Sequence, residues 1–404
     1  MASIVKRGNS YSVVYMTTIQ GQRKQKWETY HSLDEAEQRK QILDLCQKIR
    51  TRRGEHIDTV GDLMERYILL YGQIKWSLST FQSNCGLIRN YIRPWFGMIR
   101  LHELSPRMVA ELYQDILKCP HSGSYCNSHG KTIGPATLKS IHKLLHSAFE
   151  QAVLWEYVPR NPFHRAAVPN IFRREYQFLL AEQITALLQK CKEPWLSLAI
   201  NLAFAGTFRK GEILALTWQD IDWDNRSIRI SKTIKRVSRE ALQALNYQEV
   251  LYEFPSVLSS GKTSLVLKTP KTASSIREVY LPETLMTSLY ESYQSRKRVN
   301  TLAVFPDLIF CYEDGRPIQE TTLTKYFHIA LERAGLPRVP FHSLRHSSIT
   351  YKLALSGGDI KAVQGDSGHA QADMITEQYG HILEKNRRNT SRRFEELFYQ
   401  KMDC

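Results

Sequence analysis

The chain has 404 residues, 42% of them hydrophobic and 24% charged, which is enough for two or three domains with substantial cores. Its formal net charge of +15 favours a polyanionic partner such as nucleic acid over neutral or acidic ligands. Membrane and secreted proteins are disfavoured, because the most apolar stretch, 195–208, is too short to span a bilayer, the start lacks a signal-peptide core, and seven scattered cysteines indicate reduced thiols.

The first domain, residues 1–54, is predicted to be a small sheet packed against one helix. Strands are expected at 3–6, 11–18 and 23–30. Ser32 and Glu35 form a capping box that opens the helix. The domain holds eleven Lys and Arg against five Asp and Glu, so it is either a DNA-binding module or simply a soluble surface. The candidate DNA contacts, which alternate between the two faces of the third strand, are Arg23, Lys24 and Lys26.

The second domain, residues 55–160, is predicted to contain four helices. Their starts are marked by Thr59 with Asp62, Ser79, Ser105 with Pro106, and Pro135. The second helix is expected to stop at Pro94, because proline cannot continue a helix. Basic residues on these helices are candidate phosphate contacts, although a solvated surface is an equally good interpretation of each: Lys75, Arg89, Arg93, Lys139 and Lys143.

A loop rich in metal-binding residue types separates the third and fourth helices. It contains Cys119, His121, Cys126 and His129, whose thiols and imidazoles could hold a tetrahedral zinc ion. The spacing matches no known finger pattern. An exposed loop without metal is therefore the favoured interpretation.

The third domain, residues 178–404, follows a basic, proline-containing linker at 161–177 that can lie along a phosphate backbone. This domain is predicted to be mainly helical with a small sheet. Its apolar helix is expected to continue through Arg209 to Leu216. The fold class is thus multidomain α+β.

The strands of the third domain frame a lysine. Lys271 is predicted to lie on a hairpin turn before the strand that carries Val279 and Leu281. A long insertion at about 235–262 could grip DNA or a neighbouring subunit, and its role stays open. The C-terminal tail has an apolar face that could dock on an adjacent protomer or on its own domain.

The stretch 341–382 organises the chemistry. A helix over 343–355 would place His342 and Arg345 one turn apart, where both can point at a common ligand. A guanidinium fork and an imidazole suit a phosphate. Such a pair alone is usually just a solvated feature of a helix. The downstream His369 and Tyr379 change the weighing, because a tyrosine beside a bound phosphate can attack it.

Five motifs in a fixed order resemble the tyrosine recombinases, also called phage-type integrases, and most of all the integrases of conjugative transposons. They are AGTFRKGEILALTW, TPKTASSIREV, HSLR, SGH and YGHI. The resemblance implies an arm-binding domain, a helical core-binding domain and a catalytic domain. Ser367 departs from the leucine often found before Gly-His, which affects local packing more than chemistry.

The resemblance also implies a mechanism. The catalytic residues would be Arg209, Lys271, His342, Arg345, His369 and Tyr379. The arginines would neutralise the phosphate, the tyrosine would form a 3′-phosphotyrosyl bond, the lysine would protonate the leaving oxygen, and the histidines would hydrogen-bond the phosphate. Glu212 would orient the first arginine. No metal, ATP or other cofactor is expected.

The implied function is site-specific recombination that integrates and excises a mobile element. A type IB-like topoisomerase uses the same residues and is one alternative; a non-catalytic DNA-binding protein with this fold is another. The expected partners are double-stranded DNA with core and arm attachment sites, a homotetramer on that DNA, and an excisionase or DNA-bending accessory protein. We expect a bacterial cytoplasmic, nucleoid-associated location.

Overall fold

A computed structural model describes residues 2–8, 10–19, 22–52, 57–118, 132–168, 178–255, 261–270, 275–297, 307–368, 391–392 and 394–395. Contacts divide the chain into two compact units. The first comprises residues 1–67 and 89–168, and the second comprises 68–88 and 169–404. Among the described helices, none is both long and apolar enough to cross a membrane.

The N-terminal module has the predicted sheet and helix. Strands β1 (Ser3–Arg7), β2 (Ser10–Ile19) and β3 (Gln22–Tyr30) are antiparallel in that order, and helix α1 (Leu33–Arg52) follows. Val13 is buried with Ala36 of α1, so the odd-numbered residues of β2 face the helix. Cross-strand partners share a face. Lys26, opposite Tyr15, therefore lies on the helix side, whereas Trp27, opposite Val14, lies on the other face.

Six helices and two π-helical segments follow the sheet. The helices are α2 (Val60–Tyr67), α3 (Gln73–Lys75), α4 (Leu78–Leu87), α5 (Arg93–Phe96), α6 (Pro106–Lys118) and α7 (Pro135–Leu154). The π-helical segments Ile68–Gly72 and Ile88–Ile92 join α2 to α3 and α4 to α5. The predicted stop at Pro94 is wrong, because the helix resumes as α5 with Pro94 in its first turn, where the missing N–H is tolerated.

The remaining elements belong to the second unit. The helices are α8 (Ala181–Lys190), α9 (Pro194–Ala205), α10 (Lys210–Leu214), α11 (Arg239–Ala244), α12 (Glu283–Lys297), α13 (Glu320–Arg333), α14 (Ser343–Leu355) and α15 (Ile360–Ser367). The strands are β4 (Ile221–Asp222), β5 (Ser227–Ile230), β6 (Thr233–Ser238), β7 (Val250–Phe254), β8 (Thr263–Lys268) and β9 (Arg277–Tyr280). They form two antiparallel sheets, ordered β4-β5-β9 and β6-β8-β7. The helices supply more of the core than the strands do, including Leu202, Phe327 and Leu344.

The apolar helix does not continue through Arg209 as predicted. α9 ends at Ala205, and Thr207 adopts a positive φ of 59° before α10 begins. The Thr207 hydroxyl hydrogen-bonds that of Ser348 at 2.7 Å, which helps to hold this break against α14. As a result, Arg209 is the N-cap residue of α10 rather than a residue inside a long helix.

The predicted hairpin that would carry Lys271 is also wrong. β8 pairs with β6 and β7, whereas β9 pairs with β5 in the other sheet. The insertion supplies β7 as the hairpin partner of β8, and this takes the position that β9 was expected to fill. The chain between β8 and β9 therefore connects two sheets; Lys271 itself lies outside the described residues.

The insertion packs against α4 within the second unit. α11 and the sheet β6-β8-β7 bury Leu242 and Val266 together with Leu78 and Phe81 of α4. The backbone N–H of Ser238 donates to the side-chain oxygen of Gln82 at 3.1 Å. The contacts of α4 group it with α11 and the sheet β6-β8-β7 in the second unit.

Candidate active site

Arg209 is held at the start of α10 by a carboxylate one turn ahead. Its backbone N–H and its Nη1 donate to the two oxygens of Glu212, at 2.9 and 2.7 Å. Its Nη2 donates to the carbonyl of Gly368 at 3.3 Å. The side chain keeps 35% of its surface exposed. The guanidinium is thus aimed by the protein while one side remains accessible to a ligand.

Glu212 has a second basic partner that the sequence motif did not reveal. Arg277, the first residue of β9, donates from Nη2 and Nη1 to Glu212 at 2.9 and 3.2 Å, and both side chains are 6% exposed. Arg277 also donates from Nε to the carbonyl of Asp366 at 2.7 Å. Burial raises the pKa of Glu212, but Arg277 and then Arg209 outweigh it and leave the pKa below its usual value. Glu212 is therefore a carboxylate shared by two arginines.

Arg345 is almost completely buried. It lies in the first turn of α14 and is 1% exposed. Its Nη1 donates to the carbonyl of Thr207 and its Nη2 to the carbonyl of Ser367. Arg345 thus ties the break after α9 to the C-terminal end of α15.

His342 lies beside the arginines at the N-cap of α14, as the predicted one-turn spacing requires. Its ring contacts that of His346 edge-on, with 4.9 Å between ring centroids. Desolvation lowers the pKa of His342 to about 4, with contributions from His346 and the nearby cations Arg345, Arg209 and Lys210. The imidazole is neutral at pH 7, so one ring nitrogen carries a proton and the other can accept one.

The remaining three predicted catalytic residues, Lys271, His369 and Tyr379, lie outside the described residues. The residue before His369 is described. Gly368 ends α15 with a positive φ of 60°, and a Cβ there would lie 3.1 Å from Cδ of Arg277. Both the left-handed backbone and this close contact favour glycine. Ser367 is buried, and its hydroxyl donates to the carbonyl of Gln364 at 3.4 Å, so a polar side chain fits where leucine was expected.

The predicted DNA contacts differ in their exposure and in the ion pairs that they form. Lys26 pairs with Glu28 at 3.1 Å on the α1 side of the sheet. Arg93 pairs with Glu65, and both are exposed. Exposed residues from the same set are Lys75, Arg89, Lys139 and Lys143, of which the last two lie one turn apart on α7. The side chains of Arg23 and Lys24 lie outside the description.

Two positioning residues were missed from the sequence: Arg277 and His346. Arg277 lies within the TPKTASSIREV motif. The signal that could have identified it is Glu212, because a buried glutamate can pair with more than one basic side chain. His346 follows His342 by four residues on the same helix face, a spacing that signals contact.

Comparison with known proteins identifies the family to which the sequence is similar. A sequence model described as the phage integrase family matches residues 177–386. A protein named tyrosine recombinase XerC-like, from Caldanaerobacter subterraneus, is 26% identical over 86% of this chain and 86% of its own length. The ICEBs1 integrase of Bacillus subtilis is 21% identical over 78% of this chain and 77% of its own.

Solved structures share the fold at lower identity. The Tn1549 transposon integrase, solved in complex with a circular intermediate DNA, has a TM-score of 0.64 at 19% identity and covers 83% of this chain and 99% of its own. The lambda integrase, solved as a tetramer bound to a Holliday junction, has a TM-score of 0.54 at 16% identity and covers 92% of this chain and 96% of its own.

Proposed function

Because the chain belongs to the phage integrase family, we propose that Arg209, Arg345 and His342 form the phosphate-binding part of the site at which it breaks and rejoins DNA strands. One observation carries this assignment. The guanidinium groups of Arg209 and Arg345 donate to the consecutive carbonyls of Gly368 and Ser367. Residues from α10 and α14 therefore converge on the segment that leads directly into His369.

Arg209 and Arg345 have different roles in this proposal. Arg209, with its accessible side, binds a non-bridging oxygen of the scissile phosphate. Arg345, which is buried, adds positive charge and fixes the carbonyls of Thr207 and Ser367. Both guanidinium groups stay protonated at any physiological pH, so charge neutralisation requires no metal.

The nucleophilic step uses Tyr379. Its oxygen forms a bond to phosphorus as the bond to the 5′ oxygen breaks, and Lys271 supplies the proton that this leaving oxygen takes up. The tyrosine proton passes to an imidazole, that of His342 or His369. Attack by a 5′ hydroxyl on the phosphotyrosyl bond reverses these steps. The energy of the broken linkage is retained, so no ATP is consumed.

The substrate is double-stranded DNA, and the reaction is site-specific recombination of a mobile element. Arg89, Arg93, Lys139 and Lys143 of the helical domain contact the core site, and the N-terminal sheet contacts the arm site. The active assembly is a homotetramer on DNA. An excisionase or DNA-bending protein sets the direction of the reaction.

Incubation of the protein with a nicked candidate attachment site, followed by denaturing electrophoresis, tests the assignment. The nick lets the short fragment that carries the newly formed 5′ hydroxyl diffuse away. Religation is then prevented, and the covalent complex accumulates. Tyr379→Phe should abolish that complex while DNA affinity stays within about threefold, because many phosphate contacts carry the affinity. An adduct that persists in the variant would remove Tyr379 from its role. Joining of two differently labelled duplexes separates recombination from topoisomerase activity.

A further inference from the structure

The first unit contains a cluster of two histidines and one glutamate. His146 and Glu150 are one turn apart on α7, and His164 comes from the turn that follows the helix. One ligand atom from each residue can be chosen so that all three lie within 4.8 Å of one another. His146 Nε2 is 3.8 Å from Glu150 Oε1. The rings of His146 and His164 stack, with 5.9 Å between their centroids.

The turn that presents His164 is anchored by the residues that precede it. Phe163 is fully buried, and its ring centroid lies 5.0 Å from that of Phe149 on α7. The backbone N–H of Phe163 donates to Asn161 at 2.9 Å, and that of His164 donates to the Asn161 carbonyl at 3.3 Å. The backbone of His164 is therefore fixed relative to α7 before any ligand binds.

Asn161 also orients the carboxylate of the cluster. Its Nδ2 donates to Glu150 Oε1 at 2.6 Å and to the backbone carbonyl of His146 at 3.0 Å. Outer hydrogen bonds of this kind hold metal-binding carboxylates in place. The cluster thus has three converging ligand groups and a supporting amide, which an incidental pair of surface residues would lack.

We propose that His146, Glu150 and His164 bind a zinc ion. Two imidazoles and one carboxylate are a ligand set that Zn²⁺ accepts in tetrahedral geometry, with water in the fourth position. Ligand atoms about 2 Å from the metal lie roughly 3.3 Å apart around a tetrahedron. The exposed side chains of Glu150 and His164 need only small rotations to close from 4.8 Å to that spacing.

The bound ion braces the end of the helical domain. It links the last turns of α7 to the turn at 162–165, which immediately precedes the chain that leads to the second unit. Because the imidazoles must be neutral to coordinate, zinc binding weakens as the pH falls.

Zinc chloride titration into tag-free, metal-stripped full-length protein, in competition with a chromophoric chelator, tests the proposal. Glu150→Gln keeps the shape and the hydrogen bond from Asn161, and His164→Gln keeps the exposed turn, so both variants should fold. Each should weaken zinc binding by at least about tenfold. His102→Gln, which changes an exposed histidine elsewhere in the first unit, should bind zinc as the original chain does.

A second comparison separates this cluster from the cysteine-containing loop. Cys119→Ser combined with Cys126→Ser should leave zinc binding at His146, Glu150 and His164 intact. Cobalt bound in place of zinc should lack the intense near-ultraviolet absorption of thiolate ligands, because the cluster offers only nitrogen and oxygen. Zinc binding that is unchanged in Glu150→Gln and His164→Gln, or that disappears in the double serine variant, would overturn the proposal.

Discussion

Arg277 and Glu212 form an ion pair in which both side chains are 6% exposed, and the pair joins β9 to α10 across 65 residues of sequence. Arg277 is the link between this carboxylate and α15, through the Asp366 carbonyl. The accessible Arg209 shares the same carboxylate. The position of Arg209, which we propose binds the phosphate, therefore depends on a residue that does not itself need to touch DNA.

Replacing Arg277 with Met should destabilise the protein by about 3 kcal/mol. The buried Glu212 loses its more buried basic partner, and the Asp366 carbonyl loses a hydrogen-bond donor. Urea denaturation followed by near-ultraviolet circular dichroism measures the change. Arg333→Met is the matched control: its pair with Glu193, at 3.3 Å, is more exposed, so the loss should stay below about 1 kcal/mol. Equal losses in the two variants would show that the buried pair has no special weight.

The contribution of Glu212 should depend on pH in a defined direction. Burial raises the pKa of this carboxyl, but Arg277 and Arg209 more than compensate, so the folded-state pKa lies below the unfolded-state value of about 4.3. The stabilisation is fully present above that value and is lost as the pH falls through the lower folded-state pKa. The difference in free energy of unfolding between the original chain and Glu212→Gln should be constant from pH 7 to about 5 and shrink below about 4. A difference that grew on acidification would contradict this assignment.

Sequence patterns predicted the local parts of this structure and missed the long-range ones. The helix at 343–355 and the three N-terminal strands follow from periodicity that a short window contains. The break at Thr207 depends on Ser348, which lies 141 residues away, and the pairing of β8 depends on a strand inside the insertion. No local pattern encodes either contact. The two π-helical segments likewise gave no signal in the apolar spacing.

Within the site, the same distinction holds. His342 and Arg345 could be placed one turn apart from their spacing alone. Their functions differ in a way that spacing does not reveal, because Arg345 is buried between two backbone carbonyls supplied by distant segments.

This difference between the two arginines predicts a separable outcome. Arg209→Lys and Arg345→Lys should each slow single-turnover strand cleavage by about a hundredfold, roughly 2.7 kcal/mol, because an ammonium cannot reproduce a guanidinium fork. Only Arg345→Lys should also lower the thermal midpoint, since that side chain is 1% exposed and Arg209 is 35% exposed. Arg316→Lys, an exposed partner of Asp314, serves as the control for both measurements. Near-normal cleavage by either site variant would make that arginine purely structural.

The packing of the insertion against α4 predicts a coupled loss. Phe81→Ala removes a ring that is 3% exposed and contacts the cluster that contains Leu242, so the cost should be about 3–5 kcal/mol. Backbone amides of α11 should then exchange with deuterium faster than in the original chain. Leu251→Ala, on the neighbouring strand β7 with 53% of its surface exposed, should leave those exchange rates nearly unchanged. Unaltered exchange in Phe81→Ala would show that α11 is stable without α4.

The basic side chains of the N-terminal sheet predict which of its two faces contacts arm DNA. On the face opposite α1, the Arg7 guanidinium lies 4.5 Å from the centre of the Trp27 ring, and that ring is 43% exposed. Lys6, its sequence neighbour, points to the other face, 5.7 Å from the ring centre of Tyr11, which packs against the cluster shared with α1.

Arg7→Ala and Lys6→Ala each remove one positive charge, so a general electrostatic effect would be the same for both. If the open face enters a DNA groove, only Arg7→Ala loses a phosphate contact. Its plot of log affinity for arm DNA against log salt should become shallower by about 0.9, whereas the slope for Lys6→Ala should match that of the original chain. Cleavage of a short core site should be unchanged in both variants, because Arg209 and Arg345, the arginines proposed to bind the scissile phosphate, belong to the second unit. A shallower slope for Lys6→Ala alone would place the DNA on the helix side of the sheet, and equal slopes for all three proteins would mean that neither residue contacts a phosphate.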